Sequence, residues 1–164
     1  MVGTDVNTVG YHYLYPSALF ASNQPTLVNT VLGSCVAVCL WDPILSIGGI
    51  NHYMLPLWNG QGLPSPKYGN IAIEKLIEKM LSFGSTKRNL KAKVFGGGEI
   101  LVTKNDQFQI GDRNIEIAFK ILKEERIPIV GQSVAGQLGR KIQYRTDTGV
   151  VHQKYIQKTN GPNG

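Results

Sequence analysis

Seven short, β-branched runs bounded by glycine, proline or aspartate constrain this chain more than any other feature of its sequence. They are TLVNTVL (26–32), VAVCLW (36–41), SIGGINHYM (46–54), KAKVFG (91–96), IPIVGQSV (127–134), KIQYRT (141–146) and VVHQKYI (150–156). Runs of this content read as strands, and RTDTGVV (145–151) reads as a hairpin turn between the last two. Two segments follow a different period. In IAIEKLIEKML (71–81), Ile73, Leu76, Ile77, Met80 and Leu81 recur at i, i+3, i+4, i+7 and i+8, one apolar stripe of a helix. In GDRNIEIAFKILKEE (111–125), Ile115, Ala118, Phe119 and Leu122 repeat that spacing. Asp112 stands near its start, where a carboxylate suits the free N–H groups, and Lys123 near its end. Strands before, between and after two helices predict an α/β (α+β) fold, a layered sandwich of mixed β-sheet with two main helices. The pattern leaves the strand order open.

One domain is expected, since 164 residues suit a single core and neither a repeat nor a linker divides the chain. Its expected extent is 1–155. KTNGPNG (158–164) has no apolar residue, and 156–164 reads as a disordered tail. WNGQGLPSPKYGN (58–70) reads as an irregular surface loop. Apolar residues make up 42% of the chain, which fits a folded core and not a disordered segment. Lys and Arg outnumber Asp and Glu, 17 − 11 = +6. The basic residues are scattered, so a solvated, mildly basic surface is expected and not a nucleic-acid site. No apolar run approaches the length of a membrane span, so no membrane insertion is expected. MVGTDVNTVGYHYLYP (1–16) lacks the charged start and apolar core of an export signal, which with two cysteines predicts a reducing cytoplasm.

VLGSCVAVCLWDPILSIGGINHYMLP (31–56) holds both cysteines and one of the three histidines. Cys39, inside VAVCLW, reads as a small core hydrophobe. Cys35 follows Gly33-Ser34 at the mouth of a strand. A turn there gathers backbone N–H groups, as an oxyanion hole requires, and leaves the side chain accessible. A Cys35–Cys39 disulfide is not expected, because four residues of extended chain hold the Cα atoms about 13 Å apart. Cys-x3-Cys with one distant histidine also lacks the four-ligand spacing of a metal site. His52 ends an apolar strand shortly before Pro56, whereas His12 and His152 read as structural or exposed. A cysteine facing a histidine can form a thiolate–imidazolium pair, a nucleophile with its base. From the residues alone, packing and nucleophile both stand.

Other motifs add no cofactor. FGGGE (95–99) lacks the Gly-Lys-Ser/Thr of a phosphate loop, so close backbone packing or a loop near a substrate is expected. GQLGR (136–140) reads as a turn into a strand. Arg113-Asn114 can cap the second helix or line a site, and the structural role is favoured.

LGSCVAVCLWDP followed by GGINHYMLP resembles the CheD family of bacterial chemotaxis proteins. The resemblance continues through KYGNIAIEKLIEKM, KVFGGGEI, IGDRNIEIAFKIL and IPIVGQSVAGQLGRKIQYRTDTGVVHQK, from about Leu27 to Lys154. It implies a fold similar to the deamidase domain of the cytotoxic necrotizing factor toxins. It also implies a protein-glutamine deamidase that converts chemoreceptor glutamines to glutamate with release of ammonia, in chemotaxis adaptation. Cys35 is then the nucleophile and His52 the base. The backbone N–H groups of Ser34 and Cys35 would hold the oxyanion of a thioester mechanism. Chemoreceptors (methyl-accepting chemotaxis proteins) and the CheC phosphatase are the implied partners, and docking on CheC to tune its activity is the alternative role. The family's third polar residue is a threonine six positions before the cysteine. Here that position is Asn29, with Thr30 next to it. Neighbours on a strand face opposite ways, so one of the two orients His52, and spacing favours Asn29.

Overall fold

The structure, a computed structural model, describes residues 8–99 and 109–157. Residues 158–164 of the expected tail, and residues 1–7 of the segment read for an export signal, lie outside the described residues.

The chain folds into three layers. One sheet has the strand order β1-β3-β8-β9, built from β1 (Gly10–Tyr13), β3 (Thr26–Leu32), β8 (Gly139–Arg145) and β9 (Val151–Ile156). The second has the order β2-β5-β4-β6-β7, built from β2 (Leu19–Ser22), β5 (Ile47–Asn51), β4 (Val36–Asp42), β6 (Lys91–Gly96) and β7 (Ile129–Val134). Helices α1 (Gly69–Ser82) and α2 (Ile110–Glu124) cover the far face of the second sheet. Both sheets are mixed: β1 pairs parallel with β3 and β6 with β7, while the other pairs are antiparallel.

Layering explains the hydrophobic pattern. The second sheet is buried on both faces, so VAVCLW reads as a continuous apolar run. Ala37 and Cys39 of β4 point inward, where they meet Val28 and Leu32 of β3 and Ile142 and Tyr144 of β8. Val36, Val38 and Leu40 point the other way, onto Ile73, Leu76 and Met80 of α1 and Ile115, Ala118 and Leu122 of α2. The expected helices and the seven expected strands are all present, with no end moved by more than three residues and two strands, 26–32 and 91–96, unchanged. The strands β1 (GYHY) and β2 (LFAS) are additional; each is four residues long and carries no buried position to mark it.

The two sheets approach closely at Gly48 of β5. A Cβ on Gly48 would lie 2.5 Å from the Tyr144 hydroxyl and 2.5 Å from the Thr146 carbonyl oxygen. That hydroxyl donates across the sandwich to Leu40 O at 2.6 Å. A side chain at 48 therefore either breaks this inter-sheet bond or spreads the sheets. Gly48→Ala is expected to lower stability by about 2–3 kcal/mol, as overpacking of a dense core does. Urea unfolding should show a lower midpoint at unchanged slope. An unchanged midpoint would mean that the sheets are not held at this spacing.

Candidate active site

Between β3 and β4 the chain crosses from one sheet to the other through Gly33, Ser34 and Cys35. All three carbonyls of this turn are held from outside. Gly98 N–H donates to Gly33 O (3.0 Å), the Asn114 side-chain amide to Ser34 O (3.0 Å), and Gly97 N–H to Cys35 O (2.9 Å). A trans peptide is planar, so its C=O and the following N–H point in opposite directions. Fixing Gly33 O thus aims the Ser34 N–H, and fixing Ser34 O aims the Cys35 N–H. Among the described residues neither N–H donates to a backbone carbonyl. Such paired, pre-aimed donors suit a developing oxyanion. The glycines of FGGGE are needed for this contact. Gly96 and Gly97 have φ of +107° and +70°, and a Cβ on Gly96 would lie 2.2 Å from Cys35 O. The loop is the close backbone packing that its glycines imply.

His52 follows β5 and is 2% exposed. Its Nδ1 lies 2.7 Å from the Thr30 hydroxyl, which also lies 2.7 Å from Leu14 O and donates to it. A hydroxyl has one proton, and a carbonyl only accepts, so the Thr30 proton belongs to Leu14 O. Thr30 Oγ1 must then accept from Nδ1–H. The neutral ring is thereby fixed as the Nδ1–H tautomer, with the Nε2 lone pair free to take a proton. Asn29, which the spacing favoured, does not make this bond. It stands on the opposite face of β3, half-buried, in register with Gln143 and Tyr13. The strand's alternation decides between the neighbours, and it turns Thr30 inward.

The β4–β5 register puts Cys35 and His52 on one face. Val36 and Tyr53 exchange both backbone hydrogen bonds (3.1 and 3.0 Å), in line with Cys39 opposite Ile50. Cys35 therefore stands opposite Met54 and diagonal to His52 on one face, a spacing that side chains can bridge. Cys35 is partly accessible and packs against the inter-sheet core, while Cys39 is buried within it. Both cysteines are free.

The resting charge state differs from a thiolate–imidazolium pair. Burial pushes the Cys35 thiol up, with its own backbone N–H acting weakly the other way. Burial also lowers His52 to about 4. Each charge costs desolvation, so the pair rests as neutral thiol and neutral imidazole near pH 7.

Asn114, of the Arg113-Asn114 pair for which the sequence favours a structural role over lining a site, holds the turn before Cys35. It is fully buried on α2 and reaches both Ser34 O (3.0 Å) and Met54 O (3.1 Å). Its signal was available: an asparagine four residues before Ala118 lies on the apolar face, where a polar amide needs partners.

The model of the CheD family, described as CheD chemotactic sensory transduction, matches residues 54–155. A protein of Trichlorobacter lovleyi named probable chemoreceptor glutamine deamidase CheD is 50% identical over 147 residues, 90% of this chain and 91% of that protein. A protein of Sulfurimonas denitrificans with the same name is 50% identical over 148 residues, 90% and 95% of the two chains. One from Anaeromyxobacter dehalogenans, named probable chemoreceptor glutamine deamidase CheD 1, is 39% identical over 139 residues, 85% and 81%. Among solved structures, the Bacillus licheniformis hypothetical protein YfiH superposes with a TM-score of 0.42 at 19% identity, covering 66% of this chain and 49% of that chain. So partial a likeness carries no functional argument.

Two measurements check the site. Brief iodoacetamide labelling should modify Cys35 well before Cys39, which is 1% exposed and has its thiol raised by burial. Equal labelling would contradict the placement of the two thiols. The second test uses the histidine. Its value falls from 6.5 in the unfolded chain to about 4 in the folded one. Between those limits the unfolded chain takes up a proton that the folded site refuses, so stability falls as pH falls from 6.5 towards 4. The loss is on the order of 2–3 kcal/mol. Urea unfolding across this range should show that slope in the parent and a shallower one in His52→Gln. Parallel slopes would mean that His52 is not held neutral.

Proposed function

The chain belongs to the CheD family, and on that footing we propose that it is a chemoreceptor glutamine deamidase working through Cys35, His52 and Thr30. The observation that carries the reading is the spent Thr30 proton. It leaves Nε2 of His52 outside that bond, on the face that the β4–β5 register shares with Cys35, whose turn has its carbonyls held by Gly97, Gly98 and Asn114.

In the proposed reaction the Cys35 sulfur attacks the side-chain carbonyl carbon of a receptor glutamine while its proton passes to His52 Nε2. The C=O electrons move to oxygen, and the N–H groups of Ser34 and Cys35 hold the oxyanion. As the tetrahedral species collapses, the C–N bond breaks and His52 returns the proton to nitrogen, which leaves as ammonia. The thioester is then attacked by water, whose proton goes to His52. The C–S bond breaks, the thiol regains that proton, and glutamate departs. Neutral resting groups suit this sequence, because the base must be unprotonated and the charge pair need exist only during each transfer. The cytoplasm and the CheC phosphatase, as setting and second partner, are proposed on family membership.

Intact mass of a receptor cytoplasmic fragment after incubation tests the activity. Each event should add about one dalton, an amide exchanged for an acid, with the fragment uncut. Cys35→Ala should abolish the change. His52→Ala should lower the rate about 10²–10⁴-fold with native circular dichroism, as loss of a general base does. Thr30→Val should lose rate strongly and Asn29→Ala little. Full activity in His52→Ala, or a reversed order of the last two, would remove the assigned roles. Retained CheC binding by Cys35→Ala would separate docking from catalysis.

A further inference from the structure

We infer that Asn114 is a positioning residue that aims one oxyanion donor, the Cys35 N–H, through the far end of its own peptide group. The inference deepens the deamidase reading and uses the same site.

The side-chain amide of Asn114 has two protons, and both are committed: one to Ser34 O at 3.0 Å, the other to Met54 O at 3.1 Å. The reverse orientation of the amide would set oxygen against two carbonyls, so the nitrogen is fixed there. Ser34 O and the Cys35 N–H belong to one planar unit. A donor on that oxygen therefore sets the direction of the N–H and polarises it towards stronger donation. Met54 is the residue opposite Cys35 in the register, so the second bond anchors the amide to the base-bearing segment. Asn114 thus spans the gap between the nucleophile's turn and the strand end that carries His52. Tyr53, fully buried between them, donates its hydroxyl to Asn114 O and fixes the start of α2. The Asn114 Oδ1 is buried and finds no donor among the described residues. An acceptor left so costs about 1–3 kcal/mol, which a residue serving packing alone would avoid.

The Ser34 N–H has a different support, the Gly98 N–H on Gly33 O, which is backbone and survives any change at 114. Removing Asn114 should therefore spoil one donor of two. It should slow attack on a carbonyl and spare a displacement that builds no oxyanion.

Two probes of the Cys35 thiol read this without a receptor. p-Nitrophenyl acetate acylates it through a tetrahedral oxyanion, and iodoacetamide alkylates it by direct displacement. In Asn114→Ala, acylation is expected to fall about 10- to 100-fold, below the 10²–10³ of losing a donor outright. Alkylation should stay within about 3-fold of the parent. Asn114→Asp adds a pH signature: the protonated acid has one O–H to give, and the carboxylate has none. Its ratio of acylation to alkylation should fall as pH rises through the carboxyl titration, a limb absent from the parent. Should Asn114→Ala not fold, this internal comparison carries the same test. Acylation and alkylation falling together would mark Asn114 as merely structural, and so would an Asn114→Asp ratio with the parent's pH dependence. Either result overturns the inference. If the parent acylates as expected yet releases no ammonia from a receptor fragment, the deamidase reading fails and this one stands.

Discussion

Thr30 has a single hydroxyl proton, and the structure spends it on the carbonyl of Leu14. That bond ties β3 to the segment leading out of β1. The oxygen left over, now only an acceptor, takes the Nδ1–H of His52 from the second sheet. One atom therefore joins three parts of the chain and settles a chemical question. An imidazole held by a hydroxyl that was free to donate would have two tautomers of similar energy, and half of its lone pairs would point at threonine. With the proton already given away, a single tautomer remains, and the Nε2 lone pair is left outside this bond. Thr30 fixes the tautomer of His52 through the partner on its other side.

The turn before β4 follows the same logic. Its carbonyls are satisfied by Gly97, Gly98 and Asn114, and among the described residues the Ser34 and Cys35 N–H groups donate to no backbone carbonyl. Burial usually requires both ends of a peptide to be paired. Here one end is paired firmly so that the other can be offered. The glycine loop makes this possible because no side chain intervenes: a Cβ on Gly97 would come within 2.4 Å of Ile115, and one on Gly111 within 2.4 Å of Gly97 O. β6, its loop and the first turn of α2 are pressed together, and the turn through Gly33, Ser34 and Cys35 lies against them.

Much of this was legible in the sequence where a period or a special residue carried it. The stripe Ile73, Leu76, Ile77 and Met80 and the run from Val36 to Leu40 report burial directly, since burial selects apolar residues at fixed spacings, whereas Leu81, which continues the stripe in the sequence, is exposed. The glycines of FGGGE reported close approach, though not what approaches. The edge strands β1 and β2 carry no such mark, because strands of four residues with exposed or half-exposed side chains need no alternation. Asn29 and Thr30 show a different limit. Either side chain offers an acceptor oxygen, and a one-residue difference in register reverses which one faces inward. Only the pairing of β3 with β8, Asn29 beside Gln143 and Thr30 beside Ile142, decides the matter. Asn114 shows a further limit: its place on the apolar face says that the amide needs partners, but not which, because they lie 80 and 60 residues away.

Burial of the pair has a consequence for reactivity. A thiolate exposed at rest would be open to oxidation and stray alkylation, since thiolate character and access together set those rates. Desolvation holds Cys35 protonated, and it holds His52 as a base too weak to take that proton without recompense. In the proposed reaction the transfer becomes favourable only when sulfur gains a carbon to bond and the new oxyanion gains its two N–H donors. Nucleophile activation is then coupled to the presence of a carbonyl at the turn. The same buried placement that opposes each isolated charge strengthens the attraction between imidazolium and oxyanion once both have formed, because little water lies between them to screen it. A site built this way relies less on a perturbed resting charge than on the alignment of Thr30, His52, Cys35 and the turn.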